Sequence, residues 1–377
     1  MSERSEQPIP GPRHPAPGPA SAASFLFAGG GTGGHVIPAL AVARELRRRG
    51  HGVFFVGTER GLESKLVPAE GFKLAKIEIG GLNRVGLGQK IATLLQLPLT
   101  TLRCGQFVRQ ASAVFSMGGY VAGPPVIAAL AANVPVVVME PNAVPGFTNR
   151  IIGSAVSRAL ISFPETARFF RDGKTEMTGL PVREEFFQIP AKPRGGIFSL
   201  LVTGGSQGSL TLNRASVQSW PLFQQAGARL RILHQAGRAA IDAANQDLQK
   251  FGIEGEIVEF IKDMPAAFAA ADLIVCRSGA GAVSELAAAG KPSILVPFPF
   301  AADDHQTRNA EAFQRAGASR LVRDAELTGE VLVSLVTEFA RDSGALEQMG
   351  AAAKKFARPG AAARAADILE EVARDFN

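Results

Sequence analysis

Residues 25–35 read Phe25-Leu26-Phe27-Ala28-Gly29-Gly30-Gly31-Thr32-Gly33-Gly34-His35. Four apolar residues, a glycine run and then the helical period of Val36–Arg49 describe a buried strand that turns tightly into a helix. Gly29, Gly31 and Gly34 satisfy the spacing G-x-G-x-x-G. That spacing brings backbone N–H groups and the positive end of a helix dipole close to a phosphate. Several kinds of phosphate loop meet the motif, so it is weak alone. With Glu59 near the end of the next strand as a ribose acceptor, the first 60 residues read as a nicotinamide-dependent dehydrogenase. No Lys-Ser/Thr pair follows the glycines, which disfavours a P-loop. His35 is foreign to a dinucleotide loop. A helix start disfavours the charged imidazole, so His35 reads either as a neutral proton acceptor or as a polar cap.

Working outward, short apolar runs alternate with helical stretches. Strands are expected at Phe25–Ala28, Gly52–Val56, Lys73–Glu78, Ala113–Ser116 and Pro135–Met139, with helices such as Val36–Arg49 and Val121–Ala132 between them. The pattern restarts near Ile197, with strands expected at Phe198–Thr203, Arg229–His234, Glu256–Glu259, Leu273–Cys276 and Ser293–Val296. Residues 190–196, rich in Pro and Gly, read as a linker. Beyond Leu327 the chain reads as helix. The fold class is therefore α/β, with two Rossmann-like parallel-sheet halves and a ligand site at the strand ends or in a cleft between them. The divisions are a Pro-rich disordered tail at 1–22, a first half at 23–190 and a second at 191–377.

Further loops follow the same logic. Gly204-Gly205-Ser206-Gln207-Gly208 follows the first strand of the second half and suits a phosphate; a structural glycine turn is the alternative. Gly118-Gly119-Tyr120-Val121-Ala122-Gly123-Pro124 follows the fourth strand. In Arg277-Ser278-Gly279-Ala280-Gly281-Ala282-Val283-Ser284-Glu285, a carboxylate a few residues into a helix suits ribose hydroxyls, or simply complements the dipole. Asp303-Asp304-His305-Gln306 imitates a metal cluster, but adjacent side chains diverge and no second ligand set accompanies them, so no metal is expected. His14 lies in the tail, His51 reads as surface, and His234 reads as a packed or solvated residue with cleft lining as the alternative.

Composition narrows the classes. The chain has 377 residues, 46% of them hydrophobic, enough apolar surface to exclude disorder throughout. Cys104 and Cys276 cannot form a disulfide framework or a Cys-rich zinc site. The longest apolar run, Val126–Met139, falls short of the roughly 20 residues of a spanning helix, and the Pro-rich start lacks a secretory core. Net charge is +6, but residues 1–190 carry 20 basic and 13 acidic residues while the remainder carries 20 and 21. No acidic residue lies between Glu78 and Glu140, whereas Arg84, Lys90, Arg103 and Arg109 do. Such asymmetry points to an anionic partner of the first half: nucleic acid, a membrane surface or a phosphorylated substrate. Leu82, Val85, Leu87, Ile91, Leu94, Leu95, Leu97, Leu99 and Leu102 interleave with these cations, as on an anionic leaflet; a core helix with cationic ends is the alternative.

Taken together, the motifs GGGTGGH (29–35), MGGYVAGP (117–124), EPNAVPGFTNR (140–150), GLPVR (179–183), GGSQG (204–208), EFIKDM (259–264), CRSGAGAVSE (276–285) and DDHQTRNA (303–310) closely resemble the MurG family of bacterial peptidoglycan glycosyltransferases, over about residues 24–370. The resemblance implies a GT-B type fold, with a UDP-N-acetylglucosamine donor mainly on the second half and an undecaprenyl-linked muramyl-pentapeptide acceptor on the first, and the last helix packed back on the first half. It implies an inverting transfer to the acceptor's 4-hydroxyl, without cofactor or metal, at the cytoplasmic face of the inner membrane. Ser206 and Arg183 should meet the donor phosphates and Ile261 should read the uracil through its backbone. Ala280, Gly281, Ala282, Val283, Ser284 and Glu285 should hold the ribose and phosphate side, with Glu285 on the ribose. Gln306 should bind sugar hydroxyls, and Thr32, Gly33, Gly34 and Asn142 should close on the donor sugar. His35 is the expected general base, with Glu140 second or orienting the acceptor. Pro141 and Ala282 depart from the family's usual Gln and Thr. Nucleic acid drops out because no motif supports it. The alternatives are a related transferase with another lipid acceptor such as diacylglycerol, a UDP-N-acetylglucosamine epimerase, the dehydrogenase, and a non-enzymatic membrane adaptor.

Overall fold

The structure is a computed structural model that describes residues 22–80, 87–193, 195–238, 248 and 250–376, with only the backbone course of 87–94. The expectations for the tail through residue 21, for Leu82, Arg84 and Val85, and for the side chains of Leu87, Lys90, Ile91 and Leu94 lie outside the described residues. The first half contributes strands β1 (Ser24–Ala28), β2 (Gly52–Gly57), β3 (Lys73–Lys76), β4 (Ala113–Ser116), β5 (Val136–Glu140), β6 (Arg158–Ile161) and β7 (Thr175–Glu176). The second contributes β8 (Phe198–Thr203), β9 (Leu230–Gln235), β10 (Glu254–Val258), β11 (Leu273–Cys276), β12 (Ser293–Leu295) and β13 (Arg320–Leu321).

The strands form two sheets, ordered β3-β2-β1-β4-β5-β6-β7 and β10-β9-β8-β11-β12-β13. All pairings are parallel among the described residues. Parallel strands are covered on both faces, which is why Val136-Val137-Val138-Met139-Glu140 is buried at every position. In each sheet the order reverses beside the first strand, between β1 and β4 and between β8 and β11. Such a reversal opens a crevice at the carboxyl ends of the strands. The glycine loops after β1, β4 and β8 and the loop after β11 all lie at these ends.

Several boundaries differ from the sequence reading. The first helix begins at Gly33 rather than Val36, so the loop's last glycines form its first turn. Strand β5 ends on Glu140. The short strands β6, β7 and β13 carry little pattern of their own and form by pairing, β6 between β5 and β7, and β7 and β13 at the sheet edges. Ala143, Phe163, Phe186 and Ile189 pack with the core of the second sheet, so the two cores interlock ahead of the linker.

The last helix, Ala361–Phe376, returns to the first half. Ile368 and Leu369 are buried in one cluster with Val42, Ala43 and Leu46 of the first helix. Arg49 binds Asp367 at 2.6 Å and Glu370 at 3.1 Å, and Arg364 grips Glu176 through two nitrogens at 2.6 and 2.9 Å. His51 is a correction: it is buried, accepts the Ala23 N–H at 3.2 Å, and donates from Nε2 to Glu370 at 2.9 Å. A partner more than 300 residues away gives no local sign of this.

Candidate functional site

The two sets of strand ends meet across a cleft, and Asn309 joins them. It lies on the buried face of the helix His305–Arg315. Its Oδ1 accepts the Ala143 N–H at 2.9 Å, and its Nδ2 donates to Asn142 Oδ1 and to the Ser278 carbonyl, both at 3.1 Å. Nearby, Asp303 accepts the Phe147 N–H at 3.2 Å. Asp303 and Asp304 both lie in the left-handed region, and Asp304 accepts from Thr307 at 2.6 Å. The side chains that imitate a metal cluster thus hold loops.

On the first half, Thr32 is the extended residue ahead of the first helix, exposed, with Gly33 and Gly34 following in its first turn. His35 is half-buried. Its Nδ1 lies 3.3 Å from the Gly30 carbonyl and 3.5 Å from Thr32 Oγ1. A carbonyl only accepts, so Nδ1 carries the proton in the neutral ring and Nε2 is the basic atom. Burial holds the imidazole pKa below its ordinary value; the Gly30 carbonyl opposes this, His305 adds to it, and Glu63 opposes it. Gly119 packs against the ring, where an added Cβ would lie 3.6 Å from Cε1.

Glu140 is buried, and burial raises its pKa. Both its oxygens are nevertheless occupied: Oε1 by Asn142 N and Nδ2 at 3.0 Å, Oε2 by Asn149 Nδ2 at 2.9 Å and Gly146 N at 3.2 Å. A carboxylate so enclosed shapes the 140–149 loop. Asn142 therefore faces Glu140 with its amide nitrogen and Asn309 with its oxygen.

On the second half, Ser206 is exposed in the turn after β8. Gly208 has φ +75°, and a Cβ there would strike the Ala236 carbonyl, so glycine is required where the 204–208 loop meets the segment after β9. Gln235 fastens this meeting: Nε2 donates to the Gly205 carbonyl at 2.6 Å and Oε1 accepts the Ile261 N–H at 2.9 Å. A base at Ile261 would then meet its carbonyl. The neighbouring His234 is fully buried, paired with Asn213 at 3.0 Å, and pushed down to about 4 by burial, so it lies in the core rather than the cleft.

The helix Ala280–Ala289 starts after Gly279. Ala280, Gly281, Ala282 and Ser284 are half-buried, whereas Val283 packs into the second half's core and has only its backbone to offer a ligand. Glu285 is half-buried. Burial pushes its carboxyl up to about 7, against the pull of the Arg183 charge. Arg183 is exposed, its guanidinium 5.1 Å from the Phe186 ring centre. Gln306 accepts the Phe298 N–H at 3.0 Å, and its carbonyl accepts from Ser278 Oγ at 2.8 Å.

Two family models match the chain, one in each half. Residues 25–161 match the glycosyltransferase family 28 N-terminal domain, and residues 199–368 match the glycosyltransferase family 28 C-terminal domain. The chain is 70% identical over 356 residues to the UDP-N-acetylglucosamine--N-acetylmuramyl-(pentapeptide) pyrophosphoryl-undecaprenol N-acetylglucosamine transferase of Solibacter usitatus, covering 94% of this chain and 98% of that protein. This chain belongs to the MurG family, within glycosyltransferase family 28. The corresponding protein of Anaeromyxobacter dehalogenans is 40% identical, over 93% of each chain. The crystal structure of Acinetobacter baumannii MurG superposes with a TM-score of 0.79 at 31% identity, covering 93% of this chain and 99% of that one. A Neisseria meningitidis UDP-GlcNAc 2-epimerase bound to UDP-GlcNAc superposes at 0.62 with 14% identity over 93% of this chain and all of that one, which shows a shared fold alone.

In this MurG-family chain the dehydrogenase reading fails on two carboxylates. Glu59 points outward and pairs with Lys76 at 2.7 Å, while Glu63 is fully buried and takes the Gly31 N–H at 2.7 Å. The N–H group a pyrophosphate would need there is already bonded. Sequence reasoning missed Glu63, Gln235 and Asn309. Asn309 carried one signal: a polar residue within the apolar face formed by Ala310 and Phe313. Asn309→Ala leaves the Ala143 N–H without its acceptor, and should cost about 1–3 kcal/mol in urea unfolding at an unchanged m-value.

Proposed function

We propose that this chain moves N-acetylglucosamine from UDP-N-acetylglucosamine to the 4-hydroxyl of undecaprenyl-pyrophosphoryl-N-acetylmuramyl-pentapeptide, with inversion. The near full-length match to the Solibacter relative, which bears this activity in its name, carries the reading. The geometry suits it. The donor's charged leaving group needs N–H donors and a guanidinium, which the 204–208 loop, the starts of the helices Leu210–Gln225 and Ala280–Ala289, and Arg183 provide. In this reading Ser206 and Arg183 meet the phosphates, Ile261 the uracil through its carbonyl, Glu285 the ribose hydroxyls and Gln306 the sugar. Thr32, Gly33, Gly34 and Asn142 approach the sugar from the first half.

The acceptor oxygen bonds to the anomeric carbon as the bond to the UDP oxygen breaks, and the hydroxyl proton passes to His35 Nε2. Burial keeps His35 neutral and proton-accepting near neutral pH. Glu140, with both oxygens occupied, positions the loop beside the acceptor. The working units are residues 23–190 for the acceptor and 191–377 for the donor, with the last helix lent back to the first.

The first half also offers a membrane surface. No helix among the described residues is long and apolar enough to cross a bilayer. The helix Leu87–Val108 turns Thr100, Cys104 and Val108 inward, while Leu95, Leu99 and Leu102 are 75%, 55% and 77% exposed, with Arg103 and Arg109 exposed beside them. An apolar ridge flanked by cations suits peripheral attachment to an anionic leaflet, where each cation contributes about 1 kcal/mol. We place the enzyme at the cytoplasmic face of the inner membrane, where its lipid acceptor is anchored.

Incubation with UDP-N-acetylglucosamine and the lipid-linked muramyl-pentapeptide should yield the disaccharide lipid with inverted configuration. Turnover of the donor without acceptor would favour an epimerase, and transfer to diacylglycerol instead would favour another transferase. His35→Ala should lower kcat by about 10²–10⁴ with UDP affinity nearly unchanged; lost affinity at normal turnover would remove His35 as base. Below about pH 7, protonation of Glu285 should raise the KM for UDP-N-acetylglucosamine, an effect absent in Glu285→Gln. Flotation should show tighter binding to anionic than to neutral vesicles, weakened by Arg103→Glu; equal binding to both would refute the electrostatic version.

A further inference from the structure

The first glycine loop contains one peptide unit bonded on both sides. The Gly30 carbonyl accepts from His35 Nδ1 at 3.3 Å. The N–H of the same unit, on Gly31, donates to Glu63 Oε2 at 2.7 Å. Glu63 opens the short helix Glu63–Ala69, is completely buried, and has Oε1 held by Thr58 N at 2.9 Å and Thr58 Oγ1 at 2.7 Å. Three glycines make its pocket: a Cβ on Gly30, Gly57 or Gly61 would strike the Glu63 side chain. Three donors and three closely packed glycines around one carboxylate exceed what helix capping requires.

We propose that Glu63 acts on His35 through the Gly30–Gly31 peptide, as the remote carboxylate of an extended carboxylate–peptide–imidazole relay. An anion at the amide N–H draws electron density toward the carbonyl of the same unit. The carbonyl then becomes a stronger acceptor for Nδ1–H, because hydrogen bonds in a chain polarise one another. A better-held Nδ1–H fixes the tautomer and makes Nε2 more basic. The field of the charge, transmitted over the same path, acts in the same direction. Glu63 touches no reacting atom, so it is a positioning residue. The charged and titratable groups facing His35 are Glu63 of the first half and His305 from the second half, with Tyr120, from the loop after β4, beside Gly31. His305 opposes the relay and is left intact in the test.

This inference rests on His35 as the base, and the experiment separates the two. The His35 ring is titrated by NMR in the full chain with labelled histidine, its signal assigned by loss in His35→Ala among the five histidines. In Glu63→Gln the His35 pKa should fall. The turnover at saturating donor should drop on the order of 10–100-fold, the usual cost of losing a group that orients a working imidazole, with the donor KM little changed. Thr58→Val keeps the charge and removes one neutralising donor; there the His35 pKa should hold or rise, which also guards against a Glu63→Gln chain that fails to fold. No fall in Glu63→Gln, or a fall in Thr58→Val, overturns the relay. A fall in the His35 pKa without a change in turnover keeps the relay and removes His35 as the base.

Discussion

The cleft depends on one buried amide. Asn309 accepts from the backbone of one half and donates to both, so it ties the ends of β5 and β11 together. An asparagine can do this because it carries donor and acceptor on one planar group, and burial removes the water that would compete. The loops after β5 and β11 are then referenced to one point. So are Gln306, three residues earlier on the same helix, and Glu140, which reaches Asn309 through Asn142.

Three carboxylates near the strand ends show how burial divides labour. Glu63 and Glu140 are enclosed, and hydrogen-bond donors occupy both oxygens of each. Both hold loops in shapes the backbone alone would not keep. Glu285 is half-buried; burial pushes its carboxyl up to about 7, against the pull of the Arg183 charge. No side-chain or backbone donor among the described residues occupies the Glu285 oxygens, in contrast to the other two. Residue type alone does not separate these roles; the count of donors around each carboxylate does.

Much of the fold was legible because parallel strands buried on both faces read as apolar runs, and glycine loops stand at their ends. The positions of the glycine loops at the strand ends were legible for the same reason, since a strand that turns tightly into a helix marks the place with glycines. What escaped was set by tertiary contact. His51 looked like surface because its partner, Glu370, lies at the far end of the chain. Glu59 and Glu63 both follow β2, and only the packing of the helix Glu63–Ala69 decides which one turns inward. Gln235 ends an ordinary strand, and its clamp on Gly205 and Ile261 exists only when three strand ends meet. Strands of two residues, such as β7 and β13, have too few positions to show a period.

The returning C-terminal helix has a geometric consequence. The chain passes between the halves once near residues 190–197 and again between Lys354 and Ala361, on the way from the second core to the first. Two covalent crossings between the halves act like the two pins of a door. They leave swinging about the line through both pins as the easy motion and resist sliding and twisting across it. Any widening of the cleft about that line would have to release the Asn309 bonds to Ala143 and Asn142, so the amide that sets the closed register is also the latch on the swing.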